Sequence, residues 1–207
     1  YVDPLKITKA VNQRFSKGYL KNLHFFDKTI ATRYPKGTVI NGDWDLHLHD
    51  IFEEKSGERI KILIDLYSSS NQLEKKKHQD KLVSFLLINN KDFTKNDALD
   101  ELKRADNIFN AIKNKGFNNF FFQNYNLFFF KFKIKCKSGI RISIGRNGEI
   151  IWVGSHHRIA IAKVLKFDKI PALVYYRHSE WQKKRFDMVK NKFFGNYINN
   201  PDVQKFI

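Results

Sequence analysis

Ile140, Ile142 and Ile144 alternate with Arg141 and Ser143, and Asn147-Gly148 precedes a second short run from Glu149 to Val153. Alternation at period two marks strands, and Asn-Gly favours a tight type I′ turn, so the segment reads as a β-hairpin. Two small residues, Gly154-Ser155, then lead into a helical stretch from about His156 to Lys166. A turn at Phe167-Asp168-Lys169, a strand from Ile170 to Arg177 and a helix from about Ser179 to Phe193 follow. A hairpin that continues strand–helix–strand–helix admits few folds. It predicts a small mixed sheet with helices packed against it.

The preceding half has a different texture. Asp3-Pro4 is an N-cap with proline at the first helical position, and Ile7, Val11 and Phe15 repeat at one-turn spacing, which predicts a helix over about 4–15. Gly37 to Asp45 reads as a short strand ending in a turn. From about 46 to 90 the pattern is helical with a break at Ser56-Gly57, and the charge run Glu74 to Lys81 reads as a solvated helix face. Thr94 with Asp97 forms a variant capping box, Ala98, Leu102, Ala105, Phe109 and Ile112 make one apolar stripe, and Gly116 ends that helix. Phe128, Phe130, Phe132, Ile134 and Cys136 then alternate with Phe129, Lys131, Lys133 and Lys135, a strand with a basic outer face. The expected fold is α+β, with a mainly helical part at 1–116 packed on an α/β part at 117–207 as one unit.

Composition narrows the classes. With 207 residues, 42% hydrophobic, and 20 Phe, 8 Tyr and 3 Trp, the chain carries too much apolar mass to stay disordered. No apolar run approaches the roughly 18–20 residues of a membrane span. One cysteine, Cys136, excludes an internal disulfide framework and fits a reducing compartment, so the expected location is cytoplasmic. The first residue is Tyr, which leaves room for further chain upstream. The 38 basic against 21 acidic residues give +17, a field that attracts nucleotides, nucleic acid and other polyanions. The abundance of Asn, Ile and Phe reads equally as the codon bias of an AT-rich genome.

The chemistry concentrates at the turn into the helix after the hairpin. First-turn N–H groups have no partner inside their helix, the dipole is positive there, and His157 and Arg158 converge in the same turn. Gly154, Ser155, His156, His157 and Arg158 are therefore the candidate phosphate cradle, with Arg158 able to fork two oxygens. The alternative is an Arg158 paired with a carboxylate and histidines that cap a helix. Asp45, His47 and His49 form a weak zinc pattern, since a helix would separate the two histidines.

At these residues the chain resembles the ParB/sulfiredoxin superfamily, in which a strand, a Gly-containing turn and a His-Arg or Arg-Arg pair opening a helix bind nucleotide phosphates. The likeness covers roughly 140–177, ending in the strand Lys169-Ile170-Pro171-Ala172-Leu173-Val174. More widely, Val2-Asp3-Pro4, Gly42-Asp43-Trp44-Asp45, Arg177-His178 with Trp181, and Asn200-Pro201-Asp202-Val203 are similar to uncharacterised ParB-like proteins. Sulfiredoxins carry a reactive cysteine where His156 stands, so sulfinic acid repair is not implied. The free-serine kinases of the superfamily have Asp-Gly-His-His-Arg, echoed by Gly154-Ser155-His156-His157-Arg158.

The function this resemblance implies is nucleotide binding, with ATP-dependent phosphoryl transfer to a small hydroxyl or sugar-like acceptor. Such a kinase needs a carboxylate to take the hydroxyl proton and Mg²⁺ to bridge the phosphates. Asp43 and Asp45 are the candidates for base and Mg²⁺ ligand, because a two-residue spacing aims both to one side of an extended segment, and Glu149 is a third carboxylate. The alternative is that the two aspartates are turn residues capping the next helix. Arg146, Arg177, His178 and Trp181 are the candidate acceptor contacts, at a strand end where open α/β sheets place ligands. Two other functions compete. One is a binding module whose Lys131, Lys133, Lys135 and Arg141 face contacts nucleic acid or another polyanion, and the other is a nucleotide-gated switch without transfer.

Overall fold

A computed structural model describes residues 1–11, 38–123 and 139–207. The described elements are β1 (Lys9–Val11), β2 (Thr38–Ile40), β3 (Leu48–Asp50), α1 (Glu54–Ser68), α2 (Gln72–Asn89), α3 (Lys95–Gln123), β4 (Ile140–Ile144), β5 (Ile150–Gly154), α4 (His156–Val164), β6 (Ala172–His178) and α5 (Ser179–Asn191). The fold is α+β, with five helices and one six-stranded mixed sheet in the order β2-β6-β4-β5-β1-β3. β2, β6 and β4 run parallel to one another, β5 is antiparallel to β4, and β1 is parallel to β5 and antiparallel to β3. Half of the strands thus come from residues 1–50, so the sheet is shared between the two parts that the sequence separates. No described helix is long and apolar enough to cross a membrane.

Adjacent residues of β5 face opposite ways, as in any strand, and both faces of the sheet are covered. Trp152 joins Ile140, Ile142 and the apolar faces of α1 to α4, including Leu63, Leu66, Leu82, Leu86, Ala105, Ile112 and Ile159, in the main core. Ile151 packs on the other side with Ile40, Trp44 and Tyr176. A third cluster, Ile144, Trp181 and Val203, lies beneath α5 and the C-terminal segment.

The segment from 139 onward forms as its local signals dictate, with one change at the hairpin. Only Gly148 has a positive φ there, +84°, and its N–H donates to the Gly145 carbonyl at 3.0 Å, so the turn spans 145–148 and is not a type I′ turn centred on Asn147-Gly148. A Cβ at Gly148 would sit 2.6 Å from the Trp181 ring, which binds the hairpin tip closely to α5. The box at α3 closes as expected: the Thr94 N–H donates to Asp97 Oδ2 at 2.8 Å, and the Asp97 N–H to Thr94 Oγ1 at 3.2 Å. Gly116, φ +69°, interrupts α3 where the sequence sets its end, and helix resumes to Gln123.

Three N-terminal expectations are corrected. Asp3 caps only a 3-10 turn, Pro4–Lys6, and the chain then enters β1 where a helix is predicted. Ile7 and Ala10 are buried either way, and pairing with β3 and β5 decides between the two. Leu48–Asp50 forms β3 by the same pairing. The helical break falls after Ser68 and not at Ser56-Gly57, where a Cβ on Gly57 would meet the Phe52 carbonyl carbon at 2.2 Å. That glycine lets the incoming chain cross the first turn of α1. The charge run lies on α2, where most of its residues are exposed. The basic strand expected at 128–136, with Lys131, Lys133, Lys135 and Cys136, lies outside the described residues.

Candidate functional site

The carboxyl ends of the parallel strands β2, β4 and β6 lie at one end of the sheet, and the turns beyond them bring Asp43, Asp45, Arg146 and His178 together. The segment 43–46 is a turn, with the Leu46 N–H donating to the Asp43 carbonyl at 3.1 Å, and not an extended stretch. Asp45 is buried and accepts from the Arg146 backbone N–H at 2.6 Å, from Arg146 Nε at 3.0 Å and from Nη2 at 2.8 Å. Arg146 Nη2 also donates to Asp43 Oδ1 at 2.8 Å and to the Gly42 carbonyl at 3.1 Å. Burial pushes the Asp45 carboxyl up, but the Arg146 side-chain and backbone donors outweigh it and hold the pKa below its usual value. Those same bonds raise the pKa of Arg146. His178 Nδ1 accepts from the Glu180 N–H at 3.2 Å, which assigns the ring proton to Nε2, and Nε2 donates to the Gly42 carbonyl at 2.7 Å.

This cluster is a clamp between the 42–46 turn and the β4–β5 hairpin. A single guanidinium already lies between the two carboxylates proposed as Mg²⁺ ligands, so the arrangement does not fit a divalent cation there unless Arg146 leaves. Among the described residues no group of three or more His, Cys, Asp or Glu side chains is placed to hold a metal ion. Glu149 is exposed and staples its own turn, accepting from the Asn147 N–H and Nδ2, each at 3.1 Å.

The residues expected to contact an acceptor are engaged internally. Asp202 accepts from Arg177 Nη2 at 2.6 Å and Nε at 2.8 Å, from Trp181 Nε1 at 3.0 Å, and pairs with Arg185 Nε at 3.1 Å. Trp181 is fully buried and His178 nearly so. Asn200 Nδ2 donates to the Gly148 carbonyl at 2.8 Å, so the C-terminal segment fastens both β6 and the hairpin tip. An acceptor could reach Arg177 or Trp181 only by displacing Asp202.

The cradle at α4 stands at the opposite end of the sheet. β5 runs against β4, so Gly154 pairs with Arg141 while Ile150 pairs with Ile144. Three residues of strand, roughly 10 Å at 3.3 Å each, separate the two levels before either turn begins. Asp43, Asp45 and Glu149 are therefore not brought to the cradle. Ser155 caps α4 in the left-handed region, φ +78° and ψ +56°, without a side-chain bond to the helix. For a non-glycine residue that conformation costs about 1–2 kcal/mol.

What gathers at this end is positive. Arg158 Nη1 and Ser155 Oγ each approach the Gly139 carbonyl at 3.4 Å. Arg141 lies along Gly154, where a Cβ would meet its Cδ at 3.3 Å, and its guanidinium sits 5.5 Å from the Tyr175 ring centre. From the helical layer, Arg59 of α1 reaches His157 Nε2 at 3.2 Å and pairs with Glu101 of α3. Glu101 also pairs with Arg104 at 2.8 Å and lies 3.5 Å from His157 Nε2. His156 packs edge-on against Trp152, ring centres 5.0 Å apart. The sequence reading missed Arg59, Glu101 and Arg104 because each reads as an ordinary charged position on an amphipathic helix.

Burial, together with Arg59 and the neighbouring His157, lowers the His156 pKa to about 3. Burial, then Arg59, Arg104 and Arg158, brings His157 to about 3 as well. Arg158 falls to about 10 through burial and the nearby Arg141 and Arg104. Both histidines are therefore neutral near pH 7, and their effect on stability has a definite sign. The folded form stays unprotonated down to about pH 3, whereas the unfolded chain takes up both protons below about 6.5. Stability is complete above about pH 6.5 and declines toward pH 3, by about 1.4 kcal/mol per pH unit for each histidine. Thermal unfolding in phosphate-free buffers should show the Tm falling from pH 6.5 to 5, with a shallower fall in His157→Gln. A flat profile would show that the histidines are not held neutral.

Comparison with protein-family models, with curated proteins and with solved structures finds no match for this chain.

Proposed function

We propose that this protein binds a nucleotide through its phosphates at the N-terminus of α4, in the manner its resemblance to the ParB/sulfiredoxin superfamily implies. The observation that carries this reading is the convergence of Arg59, Arg104, Arg141 and Arg158 on the first turn of a helix. Glu101 joins them and pairs with Arg59 and Arg104. The histidines in that turn are neutral and add no charge of their own. Ser155 supports the same reading. It keeps the left-handed turn that the glycine of the Asp-Gly-His-His-Arg motif would adopt without strain, and strain of this kind clusters at ligand sites.

The geometry favours a nucleotide-binding or nucleotide-gated protein over a kinase that uses Asp43 and Asp45. Those carboxylates stand at the far end of the sheet, bonded to Arg146. Phosphoryl transfer to a small hydroxyl acceptor would need a base at the α4 end, where Glu101 is already shared by two arginines. ATP or another nucleoside triphosphate fits the arginine-lined turn, and no step is assigned to Mg²⁺.

A thermal-shift panel with ATP, ADP, CTP and GTP, each with and without Mg²⁺, tests the reading on wild type and Arg158→Ala. Nucleotide at 100 times its Kd stabilises by about 2.7 kcal/mol, a rise of several degrees for a chain of this size. The rise is expected in wild type and lost in Arg158→Ala. No rise with any nucleotide would overturn the proposal and return attention to the basic 128–136 segment with Arg141. Release of ADP in the presence of a hydroxyl acceptor would restore the kinase.

A further inference from the structure

We infer that the helical layer supplies a second phosphate position, Arg104 with Arg59 behind it, so that the site takes a di- or triphosphate chain bridging α3 and α4. This rests on the phosphate reading of α4 and specifies its ligand class. Arg158, Ser155 and Arg141 surround the Gly139–Gly154 side of the first turn. Arg59 and Arg104 approach the same turn from the helical layer, joined through Glu101 to His157 Nε2. His157 is buried close to Arg59, Arg104 and Arg158, its Nε2 turned to Arg59 and Glu101. A single phosphate can engage one pair. A chain of phosphates carries charge past His157 and engages both.

Glu101 is the internal counter-ion of this second position. Its carboxylate pairs with Nη2 of Arg59 and Nη2 of Arg104, charge-assisted bonds of the kind a phosphate oxygen can also accept. The Arg104 side chain is 64% exposed while Glu101 is 15% exposed, so Arg104 is the partner able to turn from the carboxylate toward a ligand. Arg59, only 19% exposed, stays and keeps Glu101 neutralised when Arg104 leaves. Binding of the longer anion thereby links α3 to the turn before α4, contacts that a monophosphate would not make.

Calorimetric titration with inorganic orthophosphate, pyrophosphate and tripolyphosphate at fixed ionic strength tests this on the full chain. Wild type is compared with Arg104→Ala, Arg158→Ala and the distant, exposed Lys76→Ala, which removes the same charge on α2. Wild-type affinity should rise with chain length by on the order of tenfold, the worth of one more charge-assisted contact. Arg104→Ala should leave orthophosphate binding intact and flatten that rise, Arg158→Ala should weaken all three ligands, and Lys76→Ala should change none. An unchanged chain-length dependence in Arg104→Ala, or an equal loss in Lys76→Ala, would overturn the second position and leave the α4 site standing. Binding of all three ligands by Arg158→Ala as by wild type would instead overturn the α4 site itself.

Discussion

Asp45→Ala is expected to lower the folding stability by about 3–5 kcal/mol, because it leaves Arg146 without its buried partner. The Asp45 side chain is 2% exposed and takes both side-chain and backbone donors of Arg146. Removing it leaves the Arg146 backbone N–H and Nε without their acceptor at once, while Nη2 keeps Asp43 and the Gly42 carbonyl. Asp43→Ala is the contrast. Its side chain is 51% exposed with one bond to the same arginine, so the loss should stay within about 1 kcal/mol. Urea unfolding of the two variants measures both. The two outcomes also separate structure from catalysis: a clamp predicts that Asp45→Asn unfolds more easily while the folded fraction still responds to nucleotide. A variant with wild-type stability and abolished phosphoryl transfer would return Asp45 to the role of base.

A loss of similar size, about 3–5 kcal/mol, is expected for Asp202→Ala. One carboxylate, 5% exposed, accepts from Arg177 on β6 and from Trp181 on α5, and pairs with Arg185 on that helix. Without it, Arg177 and the Trp181 indole N–H lose their acceptor in a buried setting, Arg185 keeps only the Asp202 backbone carbonyl, and Val203 loses the anchor that holds it against Ile144 and Trp181. The effect should spread to the hairpin tip through Asn200 and Gly148. Hydrogen exchange at residues 144–150 should therefore accelerate in Asp202→Ala along with the fall in urea midpoint. Asp187→Ala, on the exposed side of α5, should leave both unchanged. An unaltered midpoint in Asp202→Ala would show that the C-terminal segment is not what fastens this end of the sheet.

Together these two clusters engage, within the fold, the residues expected to contact an acceptor. Carboxylates, arginines, a histidine and a tryptophan near strand ends are what a catalytic pocket needs, and also what is needed to lock long loops onto a sheet. Here the carboxylates and arginines are bonded to one another, and Trp181 and His178 are buried. The α4 turn differs: Arg59, Arg104, Arg141 and Arg158 gather there with Glu101, and the proposed phosphate site rests on that grouping.

Local chemistry determined the elements that depend on residues a few positions apart. The Thr94–Asp97 box, the alternating isoleucines of β4, the reversal near Gly148, α4 from His156 and the strand and helix at 172–191 each form where their own sequence places them. Residues 4–11 and 46–50 were not legible, because Ile7 and Val11 satisfy a helical and an extended spacing equally, and only pairing with β5 and β3 chooses. The site was legible in the same proportion. His156-His157-Arg158 at a helix start is visible in the chain itself, whereas Arg59 and Glu101 reach that turn across dozens of residues. The antiparallel run of β5 against β4, set by the hairpin, carries the cradle to one end of the sheet. Parallel pairing of β2 with β6 carries Asp43 and Asp45 to the other. Which end of a sheet a residue reaches depends on strand direction and order, and these are properties of the assembled sheet that no short stretch of sequence contains.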